Sequence, residues 1–156
     1  MKHLQGYLTI QKIRYRDILD YEIDIPQDMY NLQILKLLLQ PLVENAIYHG
    51  IKHRRGRGFV RVTGREQGGM MILTVTDNGA GMTAERLSQV RESLDRDAPA
   101  EGEHGCYGLF NVNKRIQLYY NQPEGVRIQS GENGTTVSLC VPFGRREDVQ
   151  GISGGR

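Results

Sequence analysis

The chain has 156 residues, 38% of them hydrophobic and 24% charged, the balance of a folded globular protein rather than a disordered one. Its 20 basic and 18 acidic residues leave a net charge of +2, too near neutral to argue for a nucleic-acid partner by bulk electrostatics. No apolar run approaches the roughly 20 residues that cross a bilayer, the N-terminus lacks a signal peptide's hydrophobic core, and Cys106 and Cys140 have no metal-ligand spacing.

Along the chain, Lys2 to Arg16 places Leu4, Leu8 and Ile13 at helical spacing among strongly charged residues, as the end of a helix that packs on something. Asp20 to Ile25 alternates polar and apolar residues with the period of a half-buried strand, and Pro26 ends it. The pattern from Gln33 to about His53 predicts one long helix, with Pro41 either kinking it or marking the first turn of its second half. At 100° per residue Leu39, Val43, Ala46, Ile47 and Gly50 share one face. Asn45, His49 and Lys52 lie on the other, with Glu44 at the margin. That polar stripe suits a phosphate and its metal, or equally a solvated helix face.

Phe59–Thr63 and Met71–Thr76 are strand-like and joined through Gln67-Gly-Gly69. Asp77-Asn-Gly-Ala-Gly81 is a turn leaving the second strand. Thr83 suits the N-cap of a short helix from Ala84 to about Leu94. Asp95 to Tyr107 has little periodicity, and a loop of that length in a compact domain is uncommon unless it works. Helical spacing resumes from Leu109 to Tyr120. Gly125–Gln129 and Thr135–Val141 are final strands joined by Gly131-Glu-Asn-Gly134. Strand, helix, hairpin, helix, helix, hairpin predicts an α+β fold: a two-layer α/β sandwich whose mixed, mostly antiparallel sheet carries about three helices on one face.

Taken singly, the chemistry-bearing pieces are weak. Asp77 beside Gly79 and Gly81 is either an ordinary tight turn or a buried acceptor beside backbone that can approach a flat ligand. Gly105-Cys-Tyr-Gly108 runs into a helix start, where free N–H groups favour anions. Gly134-Thr-Thr-Val137 alone is an ordinary hairpin start.

In this order, however, the pieces resemble the ATP-binding domain of sensor histidine kinases, in the wider group that includes gyrase, Hsp90 and MutL. The signature Gln40-Pro-Leu-Val-Glu-Asn-Ala-Ile-Tyr-His-Gly50 is that of the LytS- and YesM-like kinases. Asp77-Asn-Gly-Ala-Gly-Met82 is similar to their first glycine box, Gly108-Leu-Phe-Asn-Val-Asn-Lys-Arg-Ile116 to the second, and Gly134-Thr-Thr-Val137 to the last. The resemblance covers residues 8–143 and implies a Bergerat-type ATP-binding fold over residues 18–143. Residues 1–17 would be the end of an upstream dimerisation helix, and 144–156 a flexible tail.

The resemblance also implies roles. Asn45 would coordinate Mg²⁺, with Glu44 near the metal or the attacking group in a catalytic role. His49 and Lys52 would reach the phosphates, and Asp77 would accept from the adenine amine. Gly79 and Gly81 would let backbone pass the base, with Met82 packed on it. Tyr107, Gly108, Leu109 and Asn111 would hold the phosphates, and Thr135 the adenine side. Asp95–Tyr107 would be the lid. Cys106 departs from the pattern by standing where a glycine is expected, and its Cβ would weaken ATP binding.

The implied function is donation of the ATP γ-phosphoryl group to a histidine on dimerisation helices, with a response regulator downstream and a membrane-anchored, homodimeric parent. His3, His53 and His104 lack the context of such an acceptor, so the fragment is expected to be a cytoplasmic monomer that does not phosphorylate itself. An anti-sigma-factor-type serine kinase, a conformational ATPase of the same fold, and a nucleotide-binding module without turnover are the alternatives.

Overall fold

The computed structural model describes residues 2–33, 37–53, 56–96, 107–123 and 125–145. Cys106, His104, most of the expected lid and the chain beyond Arg145 lie outside the described residues.

Among the described residues, four α-helices, α1 (Lys2–Arg14), α2 (Leu39–Asn45), α3 (Ala84–Asp95) and α4 (Tyr107–Tyr120), accompany a five-stranded sheet. The sheet strands are β1 (Leu19–Asp24), β3 (Gly58–Gln67), β4 (Met70–Asp77), β5 (Val126–Gly131) and β6 (Gly134–Pro142). Their order is β1-β3-β4-β6-β5, with β1 parallel to β3 and every other pair antiparallel. A two-stranded ladder of β2 (Leu32–Gln33) and β7 (Gly144–Arg145) stands apart. The fold is the expected mixed, mostly antiparallel α+β sandwich.

Alternation along the strands explains the layering. Val60, Val62, Leu73, Val75, Val137 and Leu139 point to one face and are buried with Leu42, Val43 and Ile47 of the central helical segment and Leu109 and Ile116 of α4. The intervening positions, such as Arg61, Thr76 and Thr136, form a polar open face, where the Thr76 and Thr136 hydroxyls meet at 3.2 Å. α1 joins the same core through Leu4 and Leu8 and packs against β1 and α2, leaving Ile10 and Ile13 exposed.

The long helix expected from Gln33 to about His53 is corrected. Gln33 belongs to β2, and Leu37 takes a positive φ of 64°, a conformation no right-handed helix contains. α2 therefore begins at Leu39, which puts Pro41 in its first turn, where a missing N–H breaks no helical bond. The helix then widens to the π form over Ala46–Gly50 and tightens to a 3₁₀ turn over Ile51–His53.

Other local readings hold within a residue or two. Gly68 and Gly69 both have positive φ (59° and 75°), the geometry of a type I′ hairpin turn between β3 and β4. Thr83 caps α3, its hydroxyl accepting from the Arg86 N–H at 3.2 Å. The last hairpin turns through Glu132–Asn133 between the paired Gly131 and Gly134. Asn113 ties α4 to its surroundings. Its amide donates to the Leu94 carbonyl at 2.8 Å and accepts from the Gly125 and Val126 N–H groups at 3.1 and 2.8 Å.

Candidate nucleotide site

Two groups of residues meet along the helical segment that runs from Leu39 to Gly50. At its start, Pro41, Glu44, Asn45, Tyr48 and His49 face Gly108 and Leu109 of the first turn of α4 across a cavity of about 200 Å³. The first N–H groups of α4 have no partner within the helix, so this end carries the positive potential that favours an anion. Among the described residues, the atom nearest to the position of a Gly108 side chain is Pro41 Cβ at 3.5 Å.

Asn45 is 8% exposed, yet among the described residues no group hydrogen-bonds its amide, which opens on the cavity. The amide faces the open cavity, where a hard cation or its water shell would suit its oxygen. Among the described residues no three His, Cys, Asp or Glu side chains gather as a metal site of their own, so a cation there would take its other ligands from phosphate and water. Glu44 is half-buried, and its Oε1 accepts from Gln40 Nε2 at 3.0 Å. Tyr7 of α1 lies near enough that burial, and then the Glu44 charge, hold its phenol above the ordinary range.

At the far end of the segment stands Asp77, the last residue of β4 and only 3% exposed. Burial raises its pKa from 3.8 to about 6, against the opposing pull of hydrogen bonds from the Gly79 and Thr135 N–H groups. The Gly79 N–H donates to Oδ1 at 2.8 Å. A Cβ at Gly50 would lie 2.7 Å from Asp77 Cγ, and one at Gly79 would run into the Gly50 backbone, so both bare positions are required by close approach. The Ala80 N–H closes the contact by donating to the Gly50 carbonyl at 3.2 Å. Gly81 has φ 66° and abuts the Gly131 carbonyl.

The pairing of β4 with β6 sets Thr135 opposite Asp77, so both side chains leave the sheet on its helix-covered side. Thr135 is 4% exposed. Met82 follows Gly81 and packs partly buried on the core.

The structure thus assembles Glu44, Asn45, His49, Gly108 and Leu109 around one cavity, and Asp77, Gly79, Gly81 and Thr135 around the strand ends beside it. Three further expected residues do not line the cavity and are exposed. Lys52 is exposed on the 3₁₀ turn with its Nζ 5.8 Å from the Tyr48 ring centroid, Asn111 is exposed on α4, and Tyr107 is 54% exposed. The even stripe of Asn45, His49 and Lys52 assumed a uniform α-helix, and the π and 3₁₀ turns change the rotation per residue. The reading missed Pro41 and Tyr48 in the cavity wall and Gly50 beside Asp77. Only the glycine closing the signature offered a signal.

Comparison with solved structures gives the fold its class. The catalytic domain of histidine kinase ThkA matches with a TM-score of 0.63 at 12% identity, covering 90% of this chain and 89% of that one. The mycobacterial sensor histidine kinase MprB matches at 0.57 and 19% identity, over 91% and 95%. The architecture is that of histidine kinase catalytic domains.

Residues 31–145 match the family model described as "Histidine kinase-, DNA gyrase B-, and HSP90-like ATPase", and the chain belongs to that family. Among characterised relatives, sensor histidine kinase YesM of Bacillus subtilis (strain 168) is 34% identical over 140 residues, 89% of this chain and 22% of that protein. Sensor histidine kinase YpdA of Escherichia coli (strain K12) is 34% identical over 139 residues, 89% and 23% respectively. The chain therefore spans less than a quarter of the length of these relatives.

Proposed function

We propose that this domain binds ATP with Mg²⁺ and donates the γ-phosphoryl group to a histidine on separate dimerisation helices of a sensor kinase. The observation that carries the reading is Asp77: a carboxylate 3% exposed at a strand end, with bare glycine backbone beside it and a cavity at a helix N-terminus at the other end of the same helical segment.

In this reading Asp77 accepts from the adenine amine, and Gly79, Gly81 and Met82 face the base. The N–H groups at Gly108 and Leu109, with His49, hold the phosphates. Lys52, Tyr107 and Asn111 join them only if the residues between α3 and α4 bring them in. Asn45 would hold Mg²⁺, which supplies charge neutralisation on the phosphates. Glu44, held by Gln40, is the group nearest the attacking histidine and orients or deprotonates it. Phosphoryl transfer is mostly positioning and electrostatics, so the domain alone lacks the in-line acceptor and turns over slowly.

The reading extends to the parent: a homodimer anchored at a membrane with this domain on the cytoplasmic side, signalling to a response regulator. The pairing of ATPase family and sensor-kinase relatives supports it. Mixing this chain with a fragment carrying dimerisation helices and their histidine, in [γ-³²P]ATP, should label the fragment. ATP binding without label would favour a nucleotide-binding module instead.

A further inference from the structure

Three polar side chains stand in one row across the inner side of the sheet. Register sets Asp77 of β4 opposite Thr135 of β6, and Thr135 opposite Ser130 of β5. Asp77 and Thr135 form the base wall of the proposed adenine pocket, and Ser130 stands behind Thr135 as the third member of the row. Its Oγ lies 2.7 Å from Thr135 Oγ1 and 3.2 Å from the Gly134 carbonyl oxygen.

Counting protons assigns directions to these bonds. The pair of hydroxyls has two protons between them, and the Gly134 carbonyl has none to give. Both contacts are hydrogen bonds only if Ser130 donates to Gly134 and Thr135 donates to Ser130. The opposite direction would leave the Ser130–Gly134 contact as two oxygens facing each other without a proton. Thr135 is then left with lone pairs alone, beside a carboxylate that also only accepts. The wall so formed fits an edge that brings two hydrogens and repels one that brings a carbonyl.

We propose that Ser130 is a specificity-determining positioning residue: it commits the Thr135 hydroxyl proton away from the base, so that Thr135 and Asp77 together accept from the two hydrogens of an exocyclic amine, directly or through water, and reject the carbonyl of guanine. The inference rests on the adenine reading of the Asp77 pocket. Without Ser130 the Thr135 hydroxyl turns freely and donates to a carbonyl as readily as it accepts from an amine.

The test is calorimetric titration of ATP and of GTP, each with Mg²⁺, into this chain and its variants. Ser130→Ala should narrow the preference for ATP over GTP by about fivefold, the scale of one neutral hydrogen bond, and Ser130→Thr, which keeps the hydroxyl, should restore it. A role in folding alone would weaken both nucleotides equally and leave the ratio where it was. An unchanged ratio in a folded Ser130→Ala protein therefore overturns the proposal. If that variant does not fold, Ser130→Cys takes its place, and its weaker donor should shift the ratio the same way; an unchanged ratio there is equally fatal. A wild-type chain that binds neither nucleotide, or both alike, overturns the adenine reading and this inference together.

Discussion

Replacing Asp77 by Asn should move stability and nucleotide affinity in opposite directions. Burial raises the folded-state pKa of Asp77 from 3.8 to about 6. Between those values the folded state holds a proton that the unfolded chain has released, so stability falls as pH rises from about 4 to about 6 and stays reduced above. At 1.36 kcal/mol per unit, a shift of about 2 units corresponds to roughly 3 kcal/mol of destabilisation at pH 8. Asn carries no such charge. Its amide nitrogen would, however, meet one of the two N–H groups that now donate to the carboxylate, which costs about 1–2 kcal/mol.

The absolute offset between the two proteins is therefore small, about 1–2 kcal/mol in favour of the variant at pH 8. The difference in slope is the firm expectation. Urea unfolding at pH steps from 4 to 8 should show the wild type losing stability through the acidic range while the variant does not. Calorimetry at pH 8 should show ATP affinity reduced roughly 10- to 150-fold, the worth of a hydrogen bond to a charged acceptor. Parallel pH profiles would refute the buried-charge argument, and unchanged ATP affinity would reduce the Asp77 turn to a turn.

Asn45→Ala should leave the thermal melt near wild type, because among the described residues the amide has no partner to lose, while removing the Mg²⁺ dependence of ATP binding; surviving dependence in a titration with and without EDTA would move the metal elsewhere. Gly50→Ala should lower both stability and ATP affinity, since its methyl must displace the Asp77 carboxylate, and a melt within about 0.5 kcal/mol of wild type would contradict the packing. Asn113→Ala should cost about 2–4 kcal/mol in denaturant unfolding, because it leaves buried backbone groups of three residues without partners, and a loss below about 1 kcal/mol would mean those groups find water.

Much of the architecture was legible because it follows from local pattern. Alternation announced β1, paired glycines announced the β3–β4 turn, and Thr83 announced the start of α3. The residues that gather at the two ends of the helical segment were legible through order rather than strength, each box being weak alone. What could not be read depends on tertiary context. Nothing in the residue type of Leu37 signals a positive φ, so the helix was begun too early. The change from α to π to 3₁₀ geometry leaves no periodic trace in so few residues, so the segment reads as one uniform helix. Asn113 and Ser130 act through partners on other elements, and polar side chains on a helix or strand give no hint of what they will meet.

The contact between Gly50 and Gly79 is made of peptide groups, with the Asp77 carboxylate set against them, which governs how this domain can diverge. A gap bridged by side chains can be retuned one methylene at a time. One closed by backbone against backbone changes only if a strand end or a helix end moves bodily, and the Ala80–Gly50 hydrogen bond opposes that. If the proposed reading holds, this backbone contact fixes the spacing between the Asp77 wall and the cavity at Asn45, and with it the ligand the two can share. Variation among descendants of this chain should collect where side chains such as Lys52 and Tyr107 stand in solvent, and leave the backbone contact itself untouched.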